Sequence, residues 1–221
     1  MRTITTRYGF TLSVNDPSVM SSVVAAGAWE AAESEAVLRL VDKGDVVIDC
    51  GANIGYYTCL LAQRGALVLA IEPNQQAASL LIKNVGDNKL VDSVRFYGGA
   101  ASSANGLSSF YVAPDDVFSS LHHEALSPLF TPTTVTTWRL DTLMPPDCKF
   151  KLLKTDTEGA EMLVLEGLGE RIADVENILI ELNDAHLKPF GTSAALICDY
   201  LSARGMRFVE GFGENQLWGR R

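Results

Sequence analysis

The chain is short of positive charge, of histidine and of long apolar runs, and each shortage removes a class of function. Lys and Arg number 18 against 27 Asp and Glu, a formal net charge of −9 at neutral pH. A nucleic-acid binder ordinarily presents a basic face, so this balance predicts that DNA and RNA are not partners. No run approaches the roughly 20 apolar residues that cross a bilayer, and the opening MRTITTRYGF lacks the apolar centre of a secretion signal. No membrane partner is expected. Cys50, Cys59, Cys148 and Cys198 include no C-x-x-C pair, so no zinc site is indicated. Cys50 and Cys59 fall on apolar runs and read as buried thiols, which fits a reducing, cytoplasmic setting. There is no repeat, low-complexity tract or composition break. With 47% hydrophobic residues, the 221 positions predict one domain, residues 1–221, with a full core.

What is present is organised around Asp45–Glu72, DVVIDCGANIGYYTCLLAQRGALVLAIE. Val46–Ile48 is a short apolar run, as in a strand covered on both faces. Gly51 and Gly55 bracket a tight turn, Tyr56–Gln63 predicts a helix stopped by Gly65, and Ala66–Ile71 predicts a second strand ending at Glu72-Pro73. A glycine turn lets backbone approach a ligand, and the helix after it offers free N–H groups and a positive dipole end. A carboxylate at the end of the second strand can accept both hydroxyls of a ribose. The pattern is D-x-G-x-N-x-G, neither G-x-G-x-x-G nor a phosphate loop. Asp49 beside the turn would repel a pyrophosphate and suits a cation. S-adenosyl-L-methionine carries a sulfonium and an ammonium, and the stretch is similar to the first two motifs of methyltransferases that use it.

The rest of the chain alternates strand and helix. Thr3–Val14 predicts a strand or hairpin, and Trp29–Val41 a helix, so that residues 1–43 form an N-terminal cap on a core of residues 44–221. After Asn74 as N-cap, apolar spacing predicts a helix through Val85, then a strand at Ser93–Tyr97. The small residues Gly98–Ala101 follow, either a tight turn or a flat surface for an adenine ring. Leu107–Val112 and Val135–Leu140 predict strands, and residues 113–132 between them a lid or substrate wall. Lys151–Asp156 and Asn177–Leu182 predict core strands, Ala160–Leu168 and Thr192–Arg204 helices, and Met206–Gly219 a closing hairpin. The fold class is α/β: a doubly wound, mostly parallel seven-stranded sheet with an antiparallel strand from the C-terminal hairpin.

Leu152–Leu168, LLKTDTEGAEMLVLEGL, together with DCGANIGYYT, AIEP, LDTL and the later IEL, resembles the FkbM family of methyltransferases over about residues 44–182. The resemblance implies a Rossmann-like class I methyltransferase, S-adenosyl-L-methionine as cofactor, and O-methylation of a small-molecule or glycan acceptor, commonly a sugar or polyketide hydroxyl of secondary metabolism. On the matching positions it implies that Asp49, Gly51, Asn53 and Gly55 hold the methionine end, Glu72 the ribose, and that Ala100 lines the adenine. N- or C-methylation, and cofactor binding without turnover, are the alternatives.

Methyl transfer is an in-line displacement that mainly requires alignment, helped by a base when the acceptor is a hydroxyl. Asp156 and Glu158, at the end of the fourth strand, are the candidate catalytic carboxylates, and Asp49 and Asp156 are expected to face one cleft at the switch point of the sheet. Glu158 could equally be a helix N-terminal acid, and Glu161 reads as helix surface. His122, in the predicted lid, is a further candidate base. Lys154, inside a core strand, reads as structural or electrostatic, pairing with Asp156 or Glu181 or snorkelling to the sheet's edge. Asp156, Asn183 and Asp184 form an all-oxygen set suited to Mg2+, but a polar loop explains them as well, and no metal is assigned.

Overall fold

A computed structural model describes residues 2–14, 21, 23, 25–112, 119–121 and 130–220. The chain begins with an antiparallel hairpin, β1 (Arg2–Thr5) and β2 (Thr11–Val14). Helix α1 (Ala31–Leu40) leads into β3 (Val46–Cys50), α2 (Tyr56–Gln63), β4 (Leu67–Glu72), α3 (Gln75–Asp87) and β5 (Val94–Gly98). A side branch follows: β6 (Ala100–Ala101), β7 (Gly106–Val112), β8 (Thr131–Trp138) and the one-turn α4 (Leu140–Leu143). The chain then returns through β9 (Phe150–Thr155), α5 (Glu161–Leu168), β10 (Val175–Glu181), α6 (Asp184–Leu187), α7 (Ala194–Ala203), β11 (Arg207–Phe212) and β12 (Asn215–Gly219).

The main sheet has seven strands in the order β5-β4-β3-β9-β10-β12-β11. All run parallel except β12, which is antiparallel to both β10 and β11. This is the expected doubly wound sheet. The chain runs outward from β3 to β5, then returns to β9 on the other side of β3. The carboxyl ends of β3 and β9 therefore flank the switch point, where open α/β sheets bind ligands.

The apolar runs are continuous because both faces of the sheet are covered. Val47, Val68 and Leu152 pack into one core with α2, α3 and the hairpin, and Ile48, Leu69 and Leu153 into the other with α5 and α7. Each such aliphatic side chain contributes on the order of 2 kcal/mol by leaving water. The hairpin is tied to α3 through two asparagines, Asn84 and Asn88, the latter accepting from Thr11 N at 2.9 Å and donating to Thr11 O at 2.7 Å. Asn84, fully buried on α3, accepts from Ser13 N at 2.7 Å and donates to Ile54 O at 2.8 Å. The N-terminal hairpin, α3 and the turn after β3 are thereby held together.

The three-stranded sheet β6-β8-β7 was not anticipated. It changes the meaning of Gly98–Ala101. A Cβ at Gly99 would lie 2.4 Å from Thr136 O and 2.8 Å from Trp138 Nε1, so the close approach of β8 requires the small residue. Of the predicted lid, residues 113–118 and 122–129 lie outside the described residues, and Thr131 and Pro132 belong to β8. Of the three tryptophans, Trp218 is core, while Trp29 and Trp138 are half-buried.

Candidate active site

The turn after β3 is built by interlocking backbone. Gly51 N and Ala52 N each donate to Ile71 O at 3.1 Å, and Asp156 N donates to Cys50 O at 3.2 Å. Gly51 has φ +71°, and a Cβ there would sit 1.8 Å from Asp156 O. Gly55, at φ +86°, caps α2 where a Cβ would meet the Leu81 side chain at 3.0 Å. Both glycines are thus required by the protein's own packing, before any ligand is considered. Asn53, also left-handed at φ +49°, donates its N–H to Glu72 Oε2 at 2.8 Å. The other carboxylate oxygen of Glu72 accepts from Asn74 N at 2.7 Å. Burial, opposed by these two N–H groups, raises the Glu72 pKa from 4.5 to about 7.

Asp49 does not stand on an open cleft wall. It has no exposed surface; Oδ2 accepts from Thr58 Oγ1 at 2.6 Å, and the buried Oδ1 has no hydrogen-bond partner. Burial raises its pKa, and Lys154 and the Thr58 hydrogen bond oppose that rise. Lys154 is the hub of this region. Its ammonium is buried, 3.2 Å from Asp156 Oδ2 and 5.2 Å from the centre of the Tyr57 ring. Burial works against its charge, but Asp156, Asp49 and Glu30 outweigh it and raise the pKa. Tyr57 OH donates to Glu30 Oε2 at 2.8 Å, so the N-terminal cap reaches the centre of the site. Glu30 and Tyr57 were not recognised in the sequence. Their neighbours there are apolar or acidic surface residues, and nothing local marks them.

Beyond Asp156 the chain carries a crowd of acids. Glu161, expected on the helix surface, is 1% exposed. Its Oε1 accepts from Thr157 N at 2.7 Å, Thr157 Oγ1 at 2.9 Å and Gly159 N at 3.4 Å, stapling the turn that starts α5. Burial, partly offset by these donors, lifts its pKa to about 7. Glu158, left-handed at φ +55°, turns away toward the end of β10. Its Oε2 lies 2.9 Å from His186 Nδ1, which is 3.8 Å from Glu181 Oε2. Burial, then the charges of Asp156, Glu158 and Glu161, push Glu181 up to about 9. His186 is raised, chiefly by its contact with Glu158.

Several expected residues are therefore placed differently from their sequence reading. Asn183 and Asp184 do not assemble with Asp156: Asn183 Oδ1 caps α6 through Ala185 N at 2.9 Å, and Asp184 Oδ1 accepts from Ala194 N at 2.8 Å. Ala100 is 5% exposed and packs with Phe110 and Val135 in a small satellite core. His122 lies outside the described residues. His186 and Glu181 were missed as site residues. The available signal was an acid ending a core strand with a histidine five positions on, at the first turn of the next helix.

The profile of the Methyltransferase FkbM domain matches residues 49–208. The chain is 32% identical over 65 residues to a tRNA (guanine(37)-N(1))-methyltransferase of Anopheles darlingi, a match of 29% of this chain and 13% of that protein. The chain thus spans about an eighth of that relative's length. Among solved structures, a protein assigned as an rRNA methylase from Clostridium thermocellum superposes with a TM-score of 0.53 at 12% identity, covering 85% of this chain and 94% of the other. Precorrin 8w decarboxylase from Methanobacterium thermoautotrophicum gives 0.55 at 16%, covering 97% of both. A protein assigned as a methyltransferase from Streptococcus mutans, in complex with S-adenosylhomocysteine, gives 0.51 at 9%, covering 85% and 94%. The fold is the Rossmann-like class I fold of S-adenosyl-L-methionine-dependent methyltransferases.

These matches correct the acceptor. A sugar, glycan or polyketide hydroxyl, with its secondary-metabolic setting, was implied by the family resemblance, and nucleic acid was excluded on charge. The sequence match to a tRNA methyltransferase overturns both expectations. The exclusion rested on a whole-chain net charge of −9, and net charge does not decide which acceptor a site takes. No helix among the described residues is long and apolar enough to cross a membrane.

Proposed function

The chain belongs to the FkbM methyltransferase domain family, and on that premise we propose that it transfers the methyl group of S-adenosyl-L-methionine to a nitrogen of a nucleobase, as one cytoplasmic domain spanning residues 1–221. The observation that carries this reading is Asp156, whose carboxylate at the end of β9 lies 3.2 Å from the buried Lys154 ammonium. A carboxylate only accepts hydrogen bonds, and the guanine edge offers an imino and an amino donor side by side. An acidic site repels a phosphate backbone, so the base would be presented from a loop or flipped out to reach it. The names of the tRNA and rRNA relatives support the same class of acceptor.

In this reading the turn at Gly51, Asn53 and Gly55 holds the methionine end of the cofactor, with the buried Asp49 behind the turn supplying negative charge without touching it, and Glu72 takes the ribose. Ala100 lies beyond β5 on the adenine side. The acceptor nitrogen attacks the methyl carbon in line, the carbon–sulfur bond breaks, and S-adenosylhomocysteine leaves. The nitrogen gains positive charge as it attacks, so its proton becomes acidic and a weak base suffices to take it. Asp156, held by Lys154, is that base, with Glu158 orienting the acceptor and His122 in reserve from the segment between β7 and β8.

The test is methyl transfer from labelled cofactor to unmodified tRNA and rRNA, with the product identified by nucleoside mass spectrometry. A methylated purine nucleoside is expected, formed at least about a hundredfold more slowly by Asp156→Asn. Cofactor binding by calorimetry with no RNA labelled would overturn the acceptor and leave the family assignment standing.

A further inference from the structure

Three side chains from three separate elements converge at the acceptor side: Glu158 from the turn after β9, Glu181 from the end of β10 and His186 from α6. One ligand-type atom of each lies within 4.8 Å of the other two. His186 Nδ1 lies 2.9 Å from Glu158 Oε2 and 3.8 Å from Glu181 Oε2. Around an ion with ligand bonds of about 2.1 Å, adjacent ligand atoms stand roughly 3.0 Å apart in an octahedron and 3.4 Å in a tetrahedron. The observed distances bracket those edges, so the three groups need only small side-chain adjustments to share one ion.

The backbone that presents them is locked. A Cβ at Gly159 would stand 2.2 Å from His186 O, so the turn carrying Glu158 is in direct contact with the helix carrying the histidine. Ser120 Oγ donates to Glu158 O at 3.0 Å from the other side. Glu181 is fixed by its register opposite Asn215 in β12. The charge balance points the same way. Asp156, Glu158 and Glu181 bring three carboxylates to this end, and the buried Lys154 ammonium lies 3.2 Å from Asp156 Oδ2.

We propose that Glu158, Glu181 and His186 bind a divalent transition-metal ion. One imidazole and two carboxylates favour Mn2+, Co2+ or Zn2+ over Mg2+, which takes oxygen ligands and retains its water. Three protein ligands leave coordination positions open toward the acceptor, where the ion would hold an oxygen of the substrate beside the methyl donor. Glu158 is then a ligand, and Asp156 alone remains to take the proton. The inference does not depend on which acceptor is used.

The protein, dialysed against chelator and then into metal-free buffer, is titrated with Co2+ and Mn2+. One ion per chain is expected, with visible Co2+ absorption bands from a nitrogen–oxygen site and slowed electron-spin relaxation of Mn2+. His186→Gln and Glu181→Gln should each weaken binding at least tenfold while leaving the thermal melt and S-adenosyl-L-methionine binding intact. No uptake, or uptake unchanged in both variants, would overturn the site. Loss of the ion together with retained cofactor binding separates this result from any failure of the methyltransferase reading.

Discussion

The carboxyl ends of β3 and β9 lie side by side in the sheet, yet they are built on different rules. The β3 end is made of geometry. Its glycines are filled from behind by Asp156 O and Leu81, its N–H groups are spent on Ile71 O and Glu72, and Asp49 is sealed against Thr58. The β9 end is made of charge. Three acids, Glu158, Glu161 and Glu181, with one lysine and one histidine crowd around Asp156, and their ordinary pKa values are displaced. A rigid turn suits the recognition of an invariant cofactor, because its shape is needed in every cycle. A cluster of competing charges suits the reacting end, where a proton must leave and a cation must be held. Lys154 joins the two halves by answering both Asp49 and Asp156.

The comparison can be broken first at its geometric half. Gly51→Ala places a Cβ against Asp156 O and forces a non-glycine residue to φ +71°, with no flexible side-chain end to yield. A loss of more than about 4 kcal/mol is expected, read by chemical denaturation. A near-normal midpoint would show that the two strand ends are not interlocked. The next effect belongs to the bridge. Lys154→Met keeps the volume but leaves Asp49 and Asp156 without their cation, a loss of about 3–5 kcal/mol. Lys154→Met combined with Asp156→Asn should recover part of it, because the uncompensated charge is then smaller. Additive losses would mean that the pair is not coupled.

The smallest effect sharpens the comparison through pH. Glu72 has its pKa raised from 4.5 to about 7 in the folded chain. Its neutral form favours the fold, so this contribution is complete below about pH 4.5 and is lost as pH rises through about 7. Ribose hydroxyls donate to the ionised form, so cofactor affinity runs the other way, strengthening roughly tenfold between pH 6 and 8. Glu72→Gln should flatten both profiles, and a wild-type affinity independent of pH would remove Glu72 from the ribose site.

Much of the frame was legible in the chain. Asp45–Glu72 reads as strand, turn, helix and strand because each element is specified within a few residues, by an apolar run, a glycine or an acid at a strand end. Asn74 and Ser193 cap their helices as their residue types suggest. Lys154 pairs with Asp156 two positions away. Glu161 was misread although its partners lie within four residues, because helical spacing shows which positions share a face and not that a side chain folds back onto its own turn. Gly98–Ala101 stayed open between a tight turn and an adenine surface because the strand that needs the space at Gly99, β8, lies more than thirty residues away.

By itself the sequence determined the alternating elements, the doubly wound order, the family and the chemical character of the first turn. All of these rest on contacts between near neighbours or on apolar periodicity, which survive being read one residue at a time. Only the tertiary structure decided that Asp49 is sealed, that Asn183 and Asp184 are committed to capping, and that Glu158, Glu181 and His186 meet. Those three come from a turn, a strand end and a short helix separated by up to 28 positions. Their meeting depends on β10 pairing with β9 and on Gly159 admitting the carbonyl of His186. A charge acquires its function from the other charges the fold sets against it, and a linear sequence does not state that distance.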